Sequence, residues 1–189
     1  MKYGEIILHT ATISLMEYRK RYQHIEQFIE CCKRCHNYAQ QWVCPPYECD
    51  IQEELKPYHH VDIFGHQIVL SPSLKVRKYN NPEEQTKIIS QIMSWARHET
   101  DPMMLRLEGE HPRSRACYAG SCKLCPEGAC TRIATPQSPC RHPEEARHSL
   151  ENYGFDLGKT ASELLGIPML WGRDGYLPDY YLLISGLLY

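Results

Sequence analysis

Apolar residues recur every three or four positions early in the chain, at Leu15, Tyr18, Tyr22, Ile25 and Ile29, the pattern of a helix with one buried face. Ser14-Leu15-Met16-Glu17 has the Ser-x-x-Glu form that satisfies the first free amides of a helix, so the helix is expected to begin there. The next place on that stripe is Cys32, which predicts an inward-facing sulfur if the helix runs that far. Asn81-Pro82-Glu83-Glu84 announces a second helix, with a cap, a proline in the first turn and early acids that favour the positive end of the dipole. Its buried stripe is Ile88, Ile89, Ile92, Met93 and Ala96. Pro143 opens a third helix that Gly154 closes, and Asp156 caps a fourth that buries Leu157, Ala161, Leu164 and Leu165. Strands are expected from Glu5 to Ile13 and from His66 to Leu70, with a terminal hairpin of Ile167 to Trp171 and Tyr180 to Tyr189 turning at Asp174-Gly175. Met103 to Leu107 fits either period. Helices and strands do not alternate regularly, which predicts an α+β fold: a small, mostly antiparallel sheet with about four helices and cysteine-rich metal-binding loops.

Composition narrows the chemistry. The chain has 189 residues, a hydrophobic share of 42% and a net charge of -2, which suits a single domain over residues 1–189 and gives no basic footprint for nucleic acid. The N-terminal residues do not read as a secretory signal, and the most apolar stretch, Tyr180 to Tyr189, is about half of what a membrane-spanning helix needs. The expected location is therefore the cytoplasm, without membrane or nucleic-acid partners. Ten cysteines are the anomaly, because a reducing compartment keeps thiols unpaired and disulfide-dense folds are typically secreted and shorter. Metal ligation explains them better than a disulfide framework.

Eight of the ten cysteines fall into two groups. In the segment 31–49, Cys32-x2-Cys35 is followed by Cys44 and Cys49, and the Cys-x-x-Cys pair is compact enough for both sulfurs to reach one cluster or one ion. Pro45 follows Cys44, stiffening the chain beside a candidate ligand. In the segment 117–140, Cys122-x2-Cys125-x4-Cys130-x9-Cys140 places four thiols within nineteen residues. Lys123, Arg132 and Arg141 can offset the charge of a tetrathiolate centre. Zinc ribbons pair two short knuckles, whereas each group here has one knuckle followed by unequally spaced cysteines, which favours iron–sulfur chemistry over zinc. Cys117-x4-Cys122-x2-Cys125 also matches a plant-type two-iron spacing, a second reading of the same segment.

Phe28 to Pro46, with its Cys-x-x-Cys, Tyr38 and Trp42-Val43-Cys44-Pro45-Pro46, resembles the first signature of domain-of-unknown-function family 2284, a family of predicted metal-binding proteins. The stretch from Gly120-Ser121-Cys122 through Pro139-Cys140-Arg141-His142-Pro143-Glu144 to Ser149-Leu150-Glu151 and Gly154-Phe155-Asp156 is similar to its second. The resemblance implies Cys32, Cys35 and Cys44 as ligands of one site and Cys122, Cys125, Cys130 and Cys140 of another. Cys31, Cys49 and Cys117 lie outside the signatures, so the first site is one ligand short, a place that Cys49 or Cys31 would fill.

Histidines are weaker candidates. His59-His60 is expected to face solvent, while His36 and His142 suit hydrogen bonding to ligands better than ligation. No nucleophile elbow, phosphate loop or dinucleotide fingerprint is present. The leading expectation is one or two iron–sulfur clusters, of the 4Fe–4S type, passing electrons to an unidentified redox partner protein, with zinc as the alternative metal. An enzyme with an open cluster site and a zinc-stabilised interaction protein are the alternative functions.

Overall fold

Two long strands, β1 (Gly4–Ser14) and β2 (His60–Leu70), pair antiparallel along their whole length, from Gly4 opposite Leu70 to Ser14 opposite His60. The computed structural model describes residues 3–48 and 50–189. β3 (Arg115–Cys117) and β4 (Tyr180–Leu188) complete a four-stranded antiparallel sheet in the order β1-β2-β4-β3. The helices are α1 (Leu15–Tyr22), α2 (Ile25–Lys33), α3 (Pro72–Lys75), α4 (Pro82–Glu110), α5 (Thr131–Ala134) and α6 (Leu157–Glu163). This is the α+β arrangement that the pattern predicts.

Both faces of the sheet are covered, because alternate side chains of each strand point to opposite sides. On one face Ile13, Val61, Ile63, Ile184 and Leu188 pack with Leu15, Tyr18 and Tyr22 of α1 and Leu157 and Ala161 of α6. On the other, Ile68 and Leu70 meet Ile92 and Ala96 of α4, and further along Met104 meets Ala116 and Leu187. Asn81 caps α4 through Glu83 N–H at 2.8 Å, and Asp156 caps α6 through Lys159 N–H at 2.8 Å, as expected.

Five details differ from the sequence expectations. The early stripe is broken after Tyr22, where Gln23 forms a bridge with Phe155 and His24 N–H donates to the Gly154 carbonyl at 2.7 Å. A new helix, α2, then restarts, and it has no fully buried residue. Cys32 accordingly faces a pocket rather than the core. His142 to Gly154 is not a helix. It makes one turn at His142 and then leaves, because Arg147 pairs with Glu108 of α4 at 2.6 Å and Ser149 bridges Tyr118; only the 3₁₀ turn Leu150–Tyr153 follows. The terminal hairpin does not form, since both edges of β4 are taken by β2 and β3, leaving no ladder for Ile167 to Trp171. The Asp174-Gly175 turn does form, with positive φ at both residues, and closes Arg173 on Tyr176. β2 begins six residues before the expected His66, through Gly65, where an added Cβ would lie 2.6 Å from Leu165 Cδ1. Met103 to Leu107 is helical, inside α4, which continues past Pro102.

Candidate metal centre

Local structure places the first group of thiols. Cys31 and Cys32 lie on the last turns of α2, Cys35 follows in a turn closed by its amide on the Cys32 carbonyl at 2.9 Å, and Cys44 is buried in the loop ahead of Pro45. Sulfur-bearing residues Cys31, Cys32, Cys35 and Cys44 line one pocket of about 210 Å³. Gly120, Ser121, Ser149, Glu151 and Asn152 also line it, so the start of the second cysteine-rich segment and the turn that follows that segment reach the pocket. Cys49 lies outside the described residues.

The second group sits in a segment with little regular structure. Cys130 precedes α5 as its N-cap residue, and Thr131 Oγ1 donates to the Pro139 carbonyl at 2.8 Å, which brings the backbones beside Cys130 and Cys140 together. Cys125 and Cys140 both act electrostatically on Cys122. Cys117 stands apart: it is fully buried on β3 in the core with Tyr18, Tyr153 and Leu188, and the charges that act on it are Arg115, Glu54, Glu108 and Arg147.

Hydrogen bonds join the two loops. Trp42 Nε1–H donates to Thr131 Oγ1 at 2.9 Å. Arg132 donates to the carbonyls of Gln41 at 2.6 Å, Cys44 and Pro46, and its guanidinium lies over the Trp42 ring at 5.8 Å. His148 Nδ1–H donates to the Val43 carbonyl at 3.0 Å. Cys122, from the second group, lies near enough to act electrostatically on Cys44, from the first. The separation of about seventy residues in sequence is closed by these contacts.

The donor set has the chemistry of a metal site. Burial pushes the Cys44 thiol up to about 12, with Cys35, Cys32 and Cys122 adding to the shift and Arg132 opposing it. Burial also raises Cys32, helped by Cys35, Glu151 and Cys31, and raises Cys122, where the Leu124 amide and Arg97 work against Cys140 and Cys125. A cation placed among these thiols would displace their protons and stabilise the thiolates. Backbone amides two residues on already point at sulfur: Asn37 N–H to Cys35 Sγ at 3.5 Å and His142 N–H to Cys140 Sγ at 3.4 Å. Such amides stabilise thiolate and tune a bound centre. Among the described residues, no three His, Cys, Asp or Glu side chains close on the point where a single ion would sit.

Two contributors were not named from the sequence as candidate ligands or compensating cations. Arg97 is buried on α4, paired with Asp101 at 2.7 Å and donating to the Ser121 carbonyl beside Cys122. Its signal in the sequence is an arginine one position after Ala96 on the buried stripe. Glu151 lines the thiol pocket, and its signal is its place in Ser149-Leu150-Glu151. Of the cations proposed from sequence, Arg132 reaches the first loop as described. His142 Nδ1 lies 3.9 Å from Glu145 Oε1, and His60 stacks on Tyr189 at 5.6 Å.

Fold and site together define an α+β protein in which two thiol-rich loops close on each other beside a small antiparallel sheet. The chain belongs to the DUF2284 family of predicted metal-binding proteins, whose family model matches residues 20–188. No curated protein and no solved structure matches it. No helix among the described residues is long and apolar enough to cross a membrane.

Proposed function

We propose that the metal bound by this chain is iron in one or two iron–sulfur clusters of the 4Fe–4S type, and that the protein acts in the cytoplasm as a single-domain module exchanging electrons with a partner redox protein. The observation that carries the reading is the pocket of about 210 Å³ lined by four cysteines. A single zinc ion holds its sulfurs at about 2.3 Å, so its four ligands close to within about 4 Å of one another. A space several times the roughly 30 Å³ share of one water suits a polynuclear centre.

When bound, such a cluster supplies one-electron chemistry. The chain's own residues do the rest. Cys32, Cys35 and Cys44 would hold the first centre, and Cys122, Cys125, Cys130 and Cys140 the second. Asn37 and His142 amides stabilise the thiolates, and Arg97 and Arg132 place positive charge beside them. Buried Val43 and half-buried Trp42 limit water on the inner side. The second reading, an enzyme with an open cluster site, is favoured by the same pocket, which keeps a mouth to solvent at exposed Cys31 and Cys35.

The test is the iron, zinc and acid-labile sulfide content of protein purified without oxygen. Brown protein with iron and sulfide in equal amounts is expected. Stoichiometric zinc without sulfide overturns the reading and leaves a zinc-stabilised interaction protein.

A further inference from the structure

We propose that Glu151 is the fourth ligand of the first centre, a carboxylate completing the set of Cys32, Cys35 and Cys44; this rests on the iron–sulfur reading above. Glu151, carried on the 3₁₀ turn Leu150–Tyr153, and these three cysteines line the same pocket. Its side chain makes no hydrogen bond or ion pair with any described residue, unlike Glu54, which accepts from Tyr153 Oη at 2.7 Å, or Glu108, which is paired with Arg147. Glu151 is exposed to solvent at the pocket, and its charge acts on Cys32. A carboxylate and thiolates that share one pocket repel one another, and a metal bound among them turns that repulsion into attraction.

The backbone holds it there. Ser149 and Asn152 form a reciprocal capping box around the turn that carries Glu151, and Gly154 closes the turn in the left-handed conformation. His24 N–H on the Gly154 carbonyl then ties this turn to the start of α2, the helix of Cys32. Cys31 is a poorer candidate, because successive residues on a helix project about 100° apart. Its sulfur also lies 3.6 Å from Arg34 Nη2. Carboxylate is a harder ligand than thiolate, so the iron it holds would be the one most readily lost or reached by a small molecule through the mouth.

The experiment compares wild type with Glu151→Gln, Glu151→Cys, Cys49→Ser and Cys31→Ser, all purified without oxygen, by iron and sulfide per chain and by electron paramagnetic resonance. Glu151→Gln is expected to lose about one of the roughly four irons of the first centre and to show a three-iron signal when oxidised. Glu151→Cys is expected to restore full iron with an altered spectrum. The second centre, unchanged in every variant, reports an intact fold. Full iron and a wild-type spectrum in Glu151→Gln overturn the assignment, as does loss of that iron in Cys49→Ser or Cys31→Ser. Loss from both centres in Glu151→Gln also overturns it, since the turn rather than a ligand would then be at fault. Wild-type protein without sulfide overturns the iron–sulfur reading itself, a result visible before any variant is compared.

Discussion

Cys117 and Cys130 carry the same side chain in opposite settings. Cys117 is fully buried, and burial pushes its thiol up to about 12, so serine there would place a hydroxyl in the core without a partner. Cys117→Ser is expected to cost about 1–3 kcal/mol in urea unfolding and to leave iron content unchanged. Cys130→Ser should do the reverse, lowering the iron of the second centre with little change in the unfolding midpoint of the metal-free protein. Iron lost from Cys117→Ser and kept by Cys130→Ser would restore the plant-type reading of that segment. A different residue sets the response to acid. Burial lowers His66 from its usual 6.5 to about 4, and its Nε2 sits 2.8 Å from Ser185 Oγ. The folded protein holds this ring neutral while the unfolded chain protonates it, so stability is present above about pH 6.5 and is lost as pH falls toward 4. Between about pH 7 and about pH 5 the loss is about 2 kcal/mol. Urea titrations at both values should find that difference in wild type and lack it in His66→Gln.

Among the elements, α2 and the 3₁₀ turn Leu150–Tyr153 depend on each other. Gly154 has φ of 85°, and a Cβ there would lie 2.7 Å from Ile25 Cα, a backbone atom with no freedom to move aside. Gly154→Ala combines left-handed strain with that clash and should destabilise the protein by at least about 2 kcal/mol. Because the turn carries Glu151 and α2 carries Cys32, the same variant should lower iron in the first centre more than in the second. Calorimetry with iron analysis checks both. The starts of α1, α4 and α6 were legible from local chemistry: Ser14, Asn81 and Asp156 each accept the amide that their position implies. Ends were less legible. Nothing local at Gln23 stops the early stripe; a bridge to Phe155, far along the chain, does.

Across the molecule, the sheet and α4 are held by a continuous apolar core, whereas the segment from Lys123 to Cys140 contains only the four-residue α5 and few buried side chains. Among the described residues it is attached through Trp42 on Thr131 and Arg132 on the first loop. A metal held by the thiols of this segment would contribute folding energy locally. Chelation or oxidation is expected to open this segment to protease well before α4, read by mass spectrometry of the first fragments. Equal rates of cleavage in both regions would show that the metal does not support the loop.

Fold class, strand β1, the caps and the two cysteine groups were legible in the sequence because each rests on local signals: periodicity, capping side chains, or ligand spacing within about twenty residues. The order of the strands, the missing terminal hairpin and the short β3 were not, because pairing is a competition among distant segments, and β4 could serve only two neighbours. The site divides in the same way. Spacing singled out the cysteines as candidates, but only the folded chain brought Cys122 within electrostatic reach of Cys44, put Arg97 and Arg132 where they act on these thiols and placed Glu151 at the pocket of the first group. Each of those relations joins residues that are far apart in sequence and share no pattern, so it arises from the packing of two loops rather than from either motif.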